Sequence, residues 1–359
     1  MKLRLLAFDL RLRHPFTISR GTTTVRPTLV VELEQDGQCG YGEACEYPYY
    51  GAGRDAVRAT LEQVRAQIES MMLSDPADFW ETMCPLLYGD VPRGTPTPAT
   101  FPQCALDVAA HDLWGKLQGR SVWQLWGLDL ETIPPSDYTI GIDAIDVMVK
   151  KLKEYPGFPA YKIKLGTSED VQIVRRLREH SDAVFRIDAN GAWSVEEAIH
   201  NAAAMQDLGV EFIEQPLPAG DWEGMKRVYR ESVLPCMADE SCQAESDVER
   251  CAGHFHGINI KLEKCGGLTP ARRMIARARQ MGLRVMAGCF VQSTVGISGI
   301  AQLLPLLDYA DLDGALLLAE DIASGVTLDR GRVRYPQVPG CGTRLLSRPS
   351  DADHHPDTQ

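Results

Sequence analysis

Apolar residues recur along this chain in two rhythms. Near the N-terminus they alternate with polar ones. "KLRLLAFDLRL", "TLVVELEQDG" and "CGYGEA" each read as a strand, with turn signals such as Gln35-Asp36-Gly37 between them. The spacing then becomes helical. In "DAVRATLEQVRAQIESM" the residues Leu61, Val64 and Ile68 share one face, and "CALDVAAHDLWGKLQG" predicts a helix from Cys104 that stops at Gly119. Strands followed by helices predict a small α+β domain over residues 1–125.

From about residue 136 short apolar strands alternate with amphipathic helices. The strands read "YTIGI", "YKIKLG", "VFRIDAN", "EFIEQPL", "CMADES", "INIKL", "RVMAGCF" and "YADLDG". Ser194 with Glu197 forms a capping-box pattern for a helix ending near Gly209, and Thr269-Pro270 opens another that Gly282 closes. One position near the end of each strand gives Thr139, Lys164, Asp188, Glu214, Asp239, Lys261, Cys289 and Asp311, spaced 22–28 residues apart. Eight strands at that period predict an α/β fold, a (β/α)-barrel over 126–334. After the eighth strand, "ASGVTLDRGRVRYP" reads as a hairpin with no long helix, so the barrel is expected to be of a modified (β/α)7β TIM type. Residues 335–359 are expected to return to the N-terminal domain and end in a polar tail, "RPSDADHHPDTQ", with two solvated histidines.

One strand breaks the apolar rule. "YKIKLG" carries Lys162 and Lys164 on the same side, and burying two ammonium groups together is costly without compensation. The barrel resolves this, because the C-terminal ends of its strands form the active-site face and every polar interruption falls there. Asp188, Glu214 and Asp239 come from three successive strands. A single acid at such a place commonly caps the next helix. Three hard oxygen ligands side by side suit Mg²⁺, with Mn²⁺ as a substitute. Lys164 precedes this trio and Lys261 follows it, which sets an amine on each side of a bound ligand. Inversion at carbon needs that arrangement: one group removes a proton and the other returns one from behind. The positive charge of Lys162 would favour a neutral Lys164. Asp311 and Asp313, two residues apart, form a second acidic pair suited to a cation on the substrate, such as an ammonium. Asn190 shares the face of Asp188 and is expected to support the metal ligands from behind. Glu240 follows Asp239 with its direction unread.

Composition narrows the partners. A net charge of −12 over 359 residues argues against nucleic acid and anionic membranes. No apolar run approaches the roughly 20 residues of a membrane span. Ten cysteines without a CxxC pair read as reduced, mostly buried thiols of a cytoplasmic protein.

Together, "YKIKLG", "RIDANGAW", "EFIEQPLP", "MADES", "INIKLEKCGGLT" and "YADLDG" resemble the enolase superfamily, in its muconate-lactonising subgroup, and within it the dipeptide epimerases. The resemblance implies an isomerase in which Lys164 and Lys261 are the acid/base pair and Lys162 contacts the substrate carboxylate. It implies Asp188, Glu214 and Asp239 as Mg²⁺ ligands and Asp311 and Asp313 as the site for a dipeptide's α-ammonium, with Thr139 and Cys289 as further substrate contacts. Segments near 15–24 and 45–55 are similar to the two mobile capping loops of that family. Arg20, Tyr50 and Arg54 there are candidates for side-chain recognition, although Arg20 is offset by one from the arginine that grips a glutamate side chain in some members. The first substrate expected is L-Ala-D/L-Glu from peptidoglycan turnover, and a homo-oligomer is a possible assembly. Two alternatives stay open. One is an N-succinyl amino acid racemase, o-succinylbenzoate synthase or muconate cycloisomerase; the other is a non-catalytic, metal-stabilised binding barrel.

Overall fold

The computed structural model describes residues 1–346; the histidine-bearing tail read as solvated lies outside the described residues. The N-terminal part opens with a three-stranded antiparallel sheet of β1 (Lys2–Ile18), β2 (Gly21–Gln35) and β3 (Gln38–Cys45). Alternating apolar residues put Leu3, Leu5, Leu29, Val31 and Leu33 on one buried face. That face packs on the helix Thr100–Leu117, which is buried nearly all round. A Cβ at Gly40 would stand 2.2 Å from the Ala109 carbonyl oxygen, and one at Gly42 2.1 Å from that of Ala105. Glycine is therefore required at both for helix and sheet to meet so closely.

This part departs from the sequence expectation in several places. The single helix expected from Asp55 breaks at Val64 into Arg54–Gln63 and Arg65–Ser70. Leu61, Val64 and Ile68 are nonetheless all buried, so the face was read correctly and its continuity was not. The helix expected from Cys104 starts at Thr100, with Pro102 in the first turn, where no backbone donor is needed, and the helix Pro76–Tyr88 before it had no counterpart in the sequence expectation. The expected capping loop near 15–24 is largely the paired tip of the β1–β2 hairpin, with Phe16 opposite Thr23 and Ile18 opposite Gly21. Its β-branched residues favour that extended pairing.

Eight parallel strands follow in sequence order around one sheet: β4 (Tyr138–Ile140), β5 (Ala160–Lys164), β6 (Val184–Asp188), β7 (Val210–Glu214), β8 (Cys236–Ala238), β9 (Gly257–Ile260), β10 (Arg284–Gly288) and β11 (Tyr309–Asp311). A bridge between Ser136 and Ala310 brings the last strand against the first and closes the ring. Helices cover the outside, and the Ser194–Glu197 capping box is formed as expected. After β11 the chain makes a 3-10 turn, Asp313–Leu317, and then a hairpin of Thr327–Asp329 with Arg332–Arg334. Beyond it the chain lies against the helix Thr100–Leu117. The Cys341 amide donates to Asp112 Oδ1 at 2.8 Å, and Lys116 Nζ donates to the Thr343 carbonyl at 3.0 Å.

Buried acids lock the cap to the barrel. Glu43 on β3 accepts from the amides of Ser293 and Gly296 and from the Ser293 hydroxyl, at the start of the barrel helix Thr294–Ala301. Asp107 takes the Thr269 amide in the same way. Each carboxylate satisfies donors that a helix start leaves unpaired. No helix among the described residues is long and apolar enough to cross a membrane. All ten cysteines are free thiols, eight of them buried.

Candidate active site

Parallel register builds the rim of the barrel. Lys164 is level with Asp188, and Asp188 with Glu214, so three strand ends form one row; Asp239 follows directly after β8. Asp188, Glu214 and Asp239 are all buried, and their oxygens lie within 4.8 Å of one another. Amines surround them. Lys164 Nζ is 2.5 Å from Asp188 Oδ2, and Lys261 Nζ is 2.8 Å from Asp239 Oδ2. Burial acts to raise the Asp239 carboxyl, but Lys261 and Lys264 outweigh it and hold it well below the usual range. Glu214 fares differently. Burial and the neighbouring charge of Asp188 push it up to about 7 despite Lys162. Its Oε1 accepts from Asn259 Nδ2 at 2.8 Å, while its buried Oε2 makes no hydrogen bond, although Lys162 Nζ lies 2.7 Å away. Glu214 is thus the least compensated of the three, since burial acts on Asp188 and Asp239 too but lysines hold both below the usual carboxylate range. Three buried carboxylates that converge within 4.8 Å, one of them with an oxygen that makes no hydrogen bond, fit a divalent cation.

The two flanking lysines stand across the ring from each other. Lys164 ends the second of the eight strands and Lys261 follows the sixth, so they are four strands apart in a closed ring of eight. Both line one cavity of about 370 Å³ between barrel and cap. Burial works to lower the Lys261 pKa, but the Asp239 carboxylate prevails and holds the ammonium above the usual lysine range. Lys162, 1% exposed, is not in the cavity wall. It lies 2.7 Å from Asp311, 2.7 Å from Glu214 and 3.4 Å from Asp188. These acids overcome the burial that would lower its pKa and hold it well above the usual range. Lys162, the first lysine of "YKIKLG", is therefore tolerated because it is the counter-ion of three acids.

Asp311 and Asp313 both line the cavity. Asp313 Oδ2 accepts from the Thr139 amide at 2.5 Å, and Asp311 pairs with Lys162. Burial would raise the Asp311 carboxyl, but Lys162 lowers it to about 2; burial and Asp311 push Asp313 up to about 7. Because the 3-10 turn begins at Asp313, the direction of that side chain is set by the turn and not by the strand pleat assumed from the i, i+2 spacing. Cys289 Sγ accepts from the Gly314 amide at 3.3 Å. Burial, Asp311 and Asp313 raise its thiol well above the ordinary value, so it stays protonated and unreactive.

The capping residues divide. Arg20 and Tyr50 line the cavity, whereas Arg54 donates to Asp9 Oδ1 at 2.6 Å and to the Phe8 carbonyl and is not in the wall. The expectation that Arg54 reads the substrate is corrected on that ground: an acid and a carbonyl of β1 claim its guanidinium. Asn190 does not stand behind the acids with its side chain. Its amide nitrogen holds Asp188 Oδ1 at 2.9 Å, while Nδ2 turns to Glu240 at 3.4 Å. Glu240 also faces the cavity, in an ion pair with Arg20.

Three supporting residues went unread in the sequence. Gln215 Oε1 accepts the amides of Asp239 and Ser241. Asn259 holds Glu214. Lys264 Nζ, fully buried, lies 2.6 Å from both Asp239 Oδ1 and the Asp239 carbonyl oxygen, and also reaches the carbonyls of Cys242 and Asn259. In "KLEK" it falls three residues after Lys261, on the same side of a helical turn, and that spacing was the available signal. Lys264→Met is expected to weaken Mg²⁺ binding on the order of tenfold or more, since Asp239 loses a charged anchor. Titration of Mg²⁺ against thermal unfolding measures it; an unchanged midpoint concentration counts against the anchoring role.

Fold and site together define an enzyme of the enolase superfamily. Residues 2–127 match the mandelate racemase / muconate lactonizing enzyme N-terminal domain and residues 146–348 the enolase C-terminal domain-like family, and the chain belongs to that family. Its particular place is among the dipeptide epimerases, which are isomerases. The chain is 51% identical over 346 residues to an L-Ala-D/L-amino acid epimerase of Flavobacterium johnsoniae, covering 96% of this chain and 100% of that one. It is 37% identical to an L-Ala-D/L-Glu epimerase of Bacteroides thetaiotaomicron, covering 96% and 88%. The solved dipeptide epimerase of Enterococcus faecalis, complexed with Mg and L-Leu-L-Tyr, is 30% identical and superposes with a TM-score of 0.86 over 95% of this chain and 98% of that one.

Proposed function

We propose that this enzyme epimerises a small dipeptide at the α-carbon of its C-terminal residue, using Lys164 and Lys261 as the two proton-transfer groups. The observation that carries the reading is a pair of lysines on opposite sides of a closed ring, both lining one cavity and each reaching an acid of a converging carboxylate trio. Lys164 takes the α-proton from one side; the C–H electron pair moves onto the adjacent carboxylate. Lys261, on the other side, delivers a proton to the same carbon as the electron pair returns from the carboxylate, and a new C–H bond closes with inverted configuration. The roles exchange in the reverse direction. Asp188, Glu214 and Asp239 would hold Mg²⁺, which when bound supplies positive charge for the substrate carboxylate as its negative charge grows. Lys162 keeps the buried acids paired in the free enzyme.

Asp311 and Asp313 fit the dipeptide's α-ammonium. Two acidic side chains at the cavity wall offer oxygens that a free ammonium can donate to and an acylated nitrogen largely cannot, which separates this reading from N-succinyl substrates. Asp313→Asn is expected to lower kcat/KM for an unmodified dipeptide on the order of tenfold, mainly through KM, and to leave an N-acetylated dipeptide equally poor. Equal activity on both compounds in the wild type would overturn the assignment.

Incubation with Mg²⁺ and a dipeptide library in D₂O tests the function. Deuterium at the C-terminal residue's α-carbon, with both configurations formed, is the expected result. Turnover only of N-succinyl amino acids points to the racemase reading, and silence from every substrate to a binding barrel.

A further inference from the structure

The wall above β6 and β8 contains an ion pair that the proposed chemistry does not use. Arg20, at the tip of the β1–β2 hairpin, places Nη2 2.6 Å from Glu240 Oε1 and Nη1 3.0 Å from the Asn190 carbonyl oxygen. Its guanidinium lies 4.5 Å over the Tyr49 ring. An acid, a carbonyl and a ring thus fix the group from three directions. Glu240 is 2% exposed, and its second oxygen, Oε2, is buried without a hydrogen-bond partner. Asp239 and Glu240 are adjacent and diverge: Asp239 turns to Lys261 and Lys264, and Glu240 turns to the cavity.

The location bears on the substrate. β11, which carries Asp311, and β7 are opposite each other in the ring of eight. A dipeptide with its ammonium at Asp311 and Asp313 and its reacting carbon between the two lysines extends toward the sector over β6–β8. There its C-terminal side chain meets Arg20 and Glu240, beside the apolar surfaces of Ile18 and Tyr49. A free arginine at that place would select an acidic side chain. Here Glu240 already occupies the guanidinium, so an acidic side chain would have to displace a buried carboxylate or lie beside it. The second arginine of the wall, Arg26, is turned elsewhere, donating to the Glu46 carbonyl and to Thr23 Oγ1.

We propose that Glu240 is a specificity-determining residue which cancels the charge of Arg20, so that the enzyme selects dipeptides with an uncharged side chain on the epimerised residue. This rests on the dipeptide epimerase reading above and names the substrate class for it. L-Ala-L-Gln and L-Ala-L-Glu have nearly the same shape and differ in charge, so their kcat/KM ratio isolates the effect.

The experiment follows α-proton exchange of both dipeptides in D₂O with Mg²⁺, near neutral pH, in the wild type, Glu240→Gln and the double variant Arg20→Met/Glu240→Gln. The wild type is expected to favour the glutamine dipeptide on the order of tenfold. Glu240→Gln frees the guanidinium and should shift the ratio toward glutamate by a similar factor; the double variant should lose that shift. A wild type that favours L-Ala-L-Glu overturns the proposal without any variant, as does a folded Glu240→Gln enzyme with an unmoved ratio. If neither dipeptide exchanges, the proposal is also overturned, because the ion pair then fails to favour the uncharged partner, and the dipeptide library in D₂O separately decides whether the epimerase reading stands.

Discussion

Lys164→Ala and Lys261→Ala are each expected to abolish epimerisation while retaining α-proton exchange from one substrate configuration only, opposite in the two variants. With a base on one side alone, a proton can leave and return, but inversion needs delivery from the other side. Loss of a positioned acid/base group costs roughly 10²–10⁴-fold, which removes net inversion from view. The variants should still fold. Without Lys164, Asp188 retains Lys162 at 3.4 Å, and without Lys261, Asp239 retains Lys264 at 2.6 Å. Proton NMR in D₂O with each pure epimer of the dipeptide separates the outcomes. Full turnover in both variants would remove the two lysines from the mechanism.

Stripping divalent cations with a chelator is expected to take turnover to background, and Mg²⁺ to restore it. The same cation should raise the thermal midpoint, because a ligand that binds only the folded state at about 100 times its Kd adds about 2.7 kcal/mol. Glu214→Gln should blunt both effects, since it removes the acid whose buried oxygen makes no hydrogen bond. The unfolding readout is independent of catalysis. An enzyme that turns over fully in excess chelator, with no midpoint shift on adding Mg²⁺, would show that the acid trio serves packing alone.

Much of this site is visible in one dimension because parallel strands repeat. Each βα unit returns the chain to the same rim, so residues some 25 positions apart become neighbours, and Lys164, Asp188 and Glu214 align by register. Helix continuity at Val64 was not visible, because an unbroken apolar face is compatible with one helix or two. Nor was the hairpin at 15–24, whose pairing depends on a register shift between Arg11 and Phe16.

Periodicity and residue type alone specified the barrel, the acid trio, the opposed lysines and the acidic pair, since alternation and spacing are properties of the chain itself. Only the folded molecule decided where Arg20, Arg54, Glu240, Lys162 and Lys264 spend their charges. Those choices follow from which elements meet in three dimensions: the hairpin tip on the barrel rim for Arg20 and Glu240, β1 beside the first helix for Arg54, and neighbouring strand ends for Lys162 and Lys264. Burial favours pairing of such charges, and partners distant in sequence carry no local mark of each other.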